Sequence, residues 1–136
     1  MKETKKYTNH SIEEIENYLK NIKEQVEKNN FIIPMTDNRP KNIAFVTKYH
    51  LSRRMQKEML LALEATDFCY SADDYYNKTE RHYMFSREYE LDSWGSIYNV
   101  LVYFKIVQKE DNFVVVVSFH EPDKKLVHLL KQKGSV

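Results

Sequence analysis

Tyr103 and Lys105 stand two residues apart, as do Ser118 and His120, and each pair lies in a run of β-branched and aromatic residues. In extended backbone, residues i and i+2 point to the same side. Two such strands side by side would bring a phenol, an ammonium, a hydroxyl and an imidazole to one sheet surface. These groups suit phosphodiester chemistry. RNA cleavage without a metal needs a base for the 2′-hydroxyl proton, whose oxygen then attacks the adjacent phosphorus, and an acid for the departing 5′-oxygen. An imidazole such as His120 serves as base or acid near neutral pH. Lys105 can hold the extra negative charge on the phosphorus oxygens, and Tyr103 can donate a hydrogen bond to them. The same four residues also fit a solvated strand surface with no chemistry.

Other reactive types are less suggestive. His10, His50, His82 and His128 lack metal-ligand spacing and read as surface histidines. No metal or cofactor is expected. Cys69, the single cysteine, excludes an intrachain disulfide and a multi-cysteine zinc site, and with no basic neighbour in sequence it reads as an inert thiol. Asp73 and Asp74 are a cation-binding pair or part of a solvated loop. Tyr70, Tyr75 and Tyr76 either stack on bases or close a loop over the core.

Local signals define the elements that would position this set. Ser11 and Glu14 have capping-box spacing, and Ile12, Ile15, Leu19, Ile22 and Val26 form one helical stripe that ends at Asn29-Asn30. Phe31 to Ile33 reads as a short strand. Pro40 suits the first position of a helix to about Tyr49. Ser52 suits the N-cap of another, running to about Glu64 with Met55, Met59, Leu60 and Leu63 inward. Asp67 to Thr79 shows no period and reads as a loop. The period then becomes two. Strands are expected over Arg81–Glu90, with Tyr83, Phe85, Arg87 and Tyr89 opposite His82, Met84, Ser86 and Glu88, and over Tyr98–Val107 and Asn112–Glu121. Alternation puts Val100, Val102, Phe104 and Ile106 on an apolar face with Phe113, Val115, Val117 and Phe119. Leu126 to Leu130 suggests a short C-terminal helix, about 123–132.

The expected architecture is a single α+β domain over 1–136: helices within about 10–65, packed on a small antiparallel sheet within about 81–121. Of 136 residues, 42% are hydrophobic and 30% charged, which argues against disorder. No signal peptide or apolar span is evident, so a cytoplasmic protein with no membrane partner is expected. Only Gly95 and Gly134 are glycine, which excludes a Gly-rich phosphate cradle. The net charge of +1 conceals a basic block of net +4 over 31–60 and an acidic stretch of net −5 over 61–97. Arg39, Lys41, Arg53, Arg54 and Lys57 of that block are candidates for gripping RNA phosphates. Chance clustering of surface charge explains the block equally well.

Three motifs occur in order: Leu63-Glu64-Ala65-Thr66-Asp67-Phe68-Cys69-Tyr70-Ser71, Val102-Tyr103-Phe104-Lys105-Ile106 and Val117-Ser118-Phe119-His120-Glu121. Together they resemble the MqsR-type toxins of bacterial toxin–antitoxin systems, and Arg39-Pro40-Lys41-Asn42 followed by Leu51-Ser52 resembles one branch of them. The resemblance covers roughly residues 39–121. It implies a RelE-like fold and an mRNA endonuclease, acting on or off the ribosome, that halts translation and is neutralised by a protein antitoxin. It places the family's strand tyrosine at Tyr103, its neighbouring lysine at Lys105 and its terminal basic position at His120. Tyr70 stands where the family has a basic residue and Met84 where it has glutamine, with Arg81 or Arg87 as the expected substitutes. The alternative is a non-enzymatic, regulatory or phage-encoded inhibitor on the same scaffold, whose acidic stretch mimics nucleic acid to a nucleic-acid enzyme.

Overall fold

Ser11 starts helix α1 (Ile12–Glu27) as its spacing predicts. Its hydroxyl accepts from the Glu14 N–H at 3.1 Å, and the Glu14 carboxylate accepts from the Ser11 N–H. Ile15, Leu19, Ile22 and Val26 are buried, while Ile12 at the helix entrance is exposed. Asn29 takes a left-handed φ of 61° and turns the chain out of the helix. Helix α2 (Pro40–Lys48) has Pro40 at its first position, and Ser52 caps helix α3 (Arg53–Leu61) by accepting from the Met55 N–H. Helix α3 stops three residues short of the expected end. Leu63 then enters the core, and a 3-10 turn over Ala65–Asp67 follows. No described helix is long and apolar enough to cross a membrane.

The structure, a computed structural model, describes residues 6–74 and 80–123. The strands are β1 (Lys6–Tyr7), β2 (Phe31–Ile32), β3 (Phe68–Asp73), β4 (Arg81–Ser93), β5 (Ser96–Gln108) and β6 (Val114–His120). They form one sheet in the order β1-β3-β4-β5-β6-β2. All neighbours are antiparallel except β2, which runs parallel to β6. The fold is therefore α+β with a mixed sheet rather than a purely antiparallel one. Strands β4 and β5 form a long hairpin whose two-residue turn has positive φ at both Trp94 and Gly95. The expected C-terminal helix lies outside the described residues.

Two expectations are corrected. Residues 68–73 are a strand, not a loop. Strand β3 lies between β1 and β4 and has buried residues on both of its sides, Phe68 in the main core and Cys69 and Ala72 in a small second cluster with Met84. A strand with buried residues on both sides shows no alternation, and a register shift between Phe68 and Tyr70 breaks the period further. The second correction concerns β6. Val114 and Val116 face the core, while Val115 and Val117 are only half-buried. Lys105 pairs with Ser118 but Ile106 pairs with Val116, so Val117 is the extra residue of a bulge that inverts the parity before it. Phe119 lies in the core as expected.

The main core takes side chains from all three helices and from one face of the sheet. Phe104 and Phe119 meet across β5 and β6 with ring centroids 5.5 Å apart, and Phe45 of α2 contacts Phe119 edge-on at 5.2 Å. Among the described residues the other face carries the smaller cluster of Cys69, Ala72 and Met84 with Tyr70 and Tyr103, to which none of the described helices contributes. This face, open among the described residues, presents the candidate chemistry.

Candidate active site on the open sheet face

Cross-strand pairing brings the four predicted side chains together. Tyr103 lies opposite His120, and Lys105 lies opposite Ser118. Partners directly opposite share a face, so all four project from the open side. The bulge leaves this arrangement intact because it falls before Ser118. The Asn42 side chain of α2 braces the bulge, donating to the Val117 and Pro34 carbonyls at 3.1 and 3.0 Å and accepting from the Phe119 N–H at 2.9 Å. Asn42 is 1% exposed and its amide is fully used. It therefore holds the bulge that turns Val114 and Val116 inward and anchors the Phe119 backbone beyond it.

The rings of Tyr103 and His120 stand 5.7 Å apart, and each lines a different cavity of about 320 Å³. Beyond His120 lies a cavity bordered by Lys41, Lys48, Phe45 and Asp123, with Lys41 ion-paired to Asp123. His120 Nδ1 is 2.8 Å from the Glu121 carbonyl oxygen. A carbonyl only accepts, so Nδ1 carries the proton and Nε2 of the neutral ring bears the lone pair. This is the arrangement that a base requires.

Beyond Tyr103 lies the second cavity. Met84 and Ala72 line its apolar part, together with Tyr70, and Lys6, Arg39, His82 and Lys105 bring positive or ionisable groups to it. Burial pushes the Tyr103 phenol well above its ordinary pKa, and the neighbouring Tyr70 phenol, hydrogen-bonded to it, adds to the rise. Tyr103 is thus a hydrogen-bond donor rather than a base. Burial also lowers the Lys105 ammonium; Asp74 opposes that shift, and Arg39 reinforces it. Among the described residues Lys105 makes no hydrogen bond and no ion pair. No group of three or more His, Cys, Asp or Glu side chains among the described residues is placed to hold a metal ion.

No protein-family model matches this chain, and no curated protein matches it. The reading of its chemistry therefore rests on this geometry and on the sequence motifs.

The remaining candidates divide sharply. Arg39 reaches the Tyr103 cavity and Lys41 the His120 cavity. Arg53 instead lies 3.6 Å from the Phe31 ring centroid and donates to the Phe31 carbonyl at 2.7 Å. Lys57 donates to Glu27 and Asn29, and Arg54 pairs with Glu58 along α3. None of the three lines either cavity. Nor do Arg81 and Arg87 fill the places of Tyr70 and Met84. Arg81 pairs with Asp73 over the Tyr7 ring, and Arg87 pairs with Asp67 and Glu64 on the helix-bearing side.

His10 and His82 are not surface residues. His10 is buried, with Nδ1 3.0 Å from Glu14 and Nε2 2.9 Å from Ser71 Oγ, and it ties the start of α1 to β3. His82 is buried in the Tyr103 cavity, 3.4 Å from Asp74. Burial and the nearby Lys105 lower its pKa. Its shared parity with Met84 was the available signal, but the cavity around it forms only in the fold. His50 is exposed, and His128 lies outside the described residues. Asp73 accepts from Tyr7 at 2.9 Å and pairs with Arg81, so it is engaged by protein groups. Cys69 is buried beside Ser86, and burial raises its thiol pKa, as suits an inert side chain. Tyr70 lines the cavity, whereas Tyr75 and Tyr76 lie outside the described residues.

Proposed function

We propose that this protein is an endoribonuclease toxin of the MqsR type on a RelE-like scaffold, cleaving mRNA without a metal and neutralised by a protein antitoxin. The observation that carries the reading is the convergence of Tyr103, Lys105, Ser118 and His120 on a sheet face that no described helix covers.

In this mechanism His120 Nε2 takes the 2′-hydroxyl proton, and the resulting oxygen attacks the adjacent phosphorus. The phosphorus–5′-oxygen bond breaks, leaving a 2′,3′-cyclic phosphate. Lys105, two residues along the strand from Tyr103 and so ~7 Å away along the backbone, neutralises charge gathering on the non-bridging oxygens. Its lowered pKa also makes it a readier proton donor to the leaving 5′-oxygen. Tyr103 remains protonated and donates a hydrogen bond to the same phosphoryl group.

The test is induced expression of the wild type and His120→Ala in a bacterial host, with primer extension on total RNA. The wild type is expected to arrest growth and create new RNA ends. His120→Ala is expected to reduce cleavage by ~10²–10⁴-fold, the range for a lost general base. Equal toxicity of the two proteins, or arrest without new ends, overturns the reading. A stoichiometric protein target recovered without RNA processing would instead select the inhibitor alternative.

A further inference from the structure

The Tyr103 cavity is lined by two cations that no described carboxylate ion-pairs. Arg39 arrives from the turn before α2 and Lys105 from the middle of β5, 66 positions later in the chain. Both line one cavity of about 320 Å³. Among the described residues the Arg39 guanidinium makes one long hydrogen bond, to the Asn38 carbonyl at 3.4 Å. Among the described residues neither Arg39 nor Lys105 forms an ion pair. Of the carboxylates that also line the cavity, Asp73 contacts Tyr7 and Arg81, and Asp74 lies against His82 and also attracts the Lys105 ammonium. Lys6 closes the far end, with Nζ 4.9 Å from the Tyr70 ring centroid. Half-burying like charges beside one another costs free energy; Asp74 offsets only part of that cost at Lys105, whose pKa is still lowered, and a bound anion would offset more.

The rest of the lining indicates what kind of anion. Met84 and Ala72 are buried and apolar, and the aromatic rings of Tyr70 and Tyr103 stand beside them. An inorganic ion would use only the cations. A nucleotide would use both parts, with its phosphate between Arg39 and Lys105 and its base against the aromatic and methionine surface. The volume lies at the lower end of the range for small-ligand sites.

We propose that this cavity is a nucleotide subsite, distinct from the His120 cavity, which holds the nucleotide adjoining the cleaved bond through its phosphate. Its place in a cleavage reaction rests on the endoribonuclease reading, but nucleotide binding at the cavity does not.

The experiment titrates the full-length protein with uridine 3′-monophosphate, uridine and inorganic phosphate, followed by calorimetry and by the amide resonances of Ala72, Met84 and Val117. Saturable binding of the nucleotide is expected at these amides, with uridine alone weaker. Arg39→Met and Lys105→Met should each weaken the nucleotide by about tenfold, the worth of one charge-assisted hydrogen bond. Lys20→Met, on the exposed side of α1, should change affinity less than twofold. Unchanged melting temperatures would show that the variants remain folded. Absence of saturable binding, or equal affinity in the wild type and both cavity variants, overturns the subsite. Inorganic phosphate binding as tightly as the nucleotide overturns the base contact and so the nucleotide assignment. RNA cleavage separates the two claims. Nucleotide binding without cleavage removes the nuclease and keeps the subsite; cleavage with no nucleotide binding does the reverse.

Discussion

Strand β5 shows how differently the two faces of this sheet are built. Val102, Phe104 and Ile106 are fully buried against helices and neighbouring strands. Between them, on the other side, Tyr103 and Lys105 carry polar groups whose pKa values burial displaces in opposite directions, upward for the phenol and downward for the ammonium. Among the described residues no buried side-chain nitrogen or oxygen lacks a partner. Lys105, only half-buried, nevertheless makes neither a hydrogen bond nor an ion pair among them. One face is organised for stability and the other retains groups that stability alone would not select. Substitutions should therefore separate by face.

The largest stability effect is expected from Phe119→Ala on the covered face. It removes a fully buried ring packed on Phe45 and Phe104, and should cost ~3–5 kcal/mol in chemical denaturation. A loss below about 1 kcal/mol would mean that this face is not the core described here. Asn42→Ala should come next and affect both faces. It strips the Phe119 N–H and the Val117 and Pro34 carbonyls of their buried partner, at roughly 3 kcal/mol in total. Because Asn42 also fixes the Phe119 N–H, between Ser118 and His120, activity at temperatures where the variant remains folded should fall as well. Normal activity would show that this end of the strand is held without it.

Lys105→Met should separate the faces most clearly. Removing a half-buried cation with no ion pair should change stability by less than ~1 kcal/mol, while nucleotide binding and RNA cleavage fall. A loss of several kcal/mol would make Lys105 a structural residue and erase the contrast between faces.

The smallest effect is a pH dependence at His82. Its pKa lies below 6.5 in the fold, so between the folded and unfolded values the unfolded chain binds more protons. Stability contributed by neutral His82 is complete above the unfolded value and is lost as pH falls through that window. His82→Gln should flatten the acid side of a melting-temperature profile, below about pH 6.5. An unchanged slope would place the titration elsewhere.

What could be read from sequence follows the range of the interactions. Ser11 with Glu14, Pro40, and Ser52 act within one helical turn, so the helix starts are visible in the chain. The facing of Tyr103, Lys105, Ser118 and His120 follows from spacing alone because the bulge at Val117 precedes Ser118. Earlier in the same strand, that bulge reverses Val114 to Val117, and its brace comes from Asn42, 75 residues from Val117. Strand β3 shows no period of two because it has buried residues on both sides and a register shift near its start. The Arg39–Lys105 cavity and the burial of His82 are likewise products of tertiary assembly, as is the engagement of Arg53 and Lys57 by backbone carbonyls. Residue type identified cations; only the fold distinguishes those facing a cavity from those engaged by backbone carbonyls.

The central claim, that the open face cleaves RNA through the 2′-hydroxyl, is tested most directly with purified protein and an oligonucleotide of deoxynucleotides containing a short ribonucleotide segment. The account predicts cuts only after ribose positions, with 2′,3′-cyclic phosphate and 5′-hydroxyl ends. These cuts should persist in the presence of a metal chelator and be lost in His120→Ala. Cleavage after deoxyribose, dependence on added metal, or equal cutting by wild type and His120→Ala would contradict it, as would an intact oligonucleotide at stoichiometric protein.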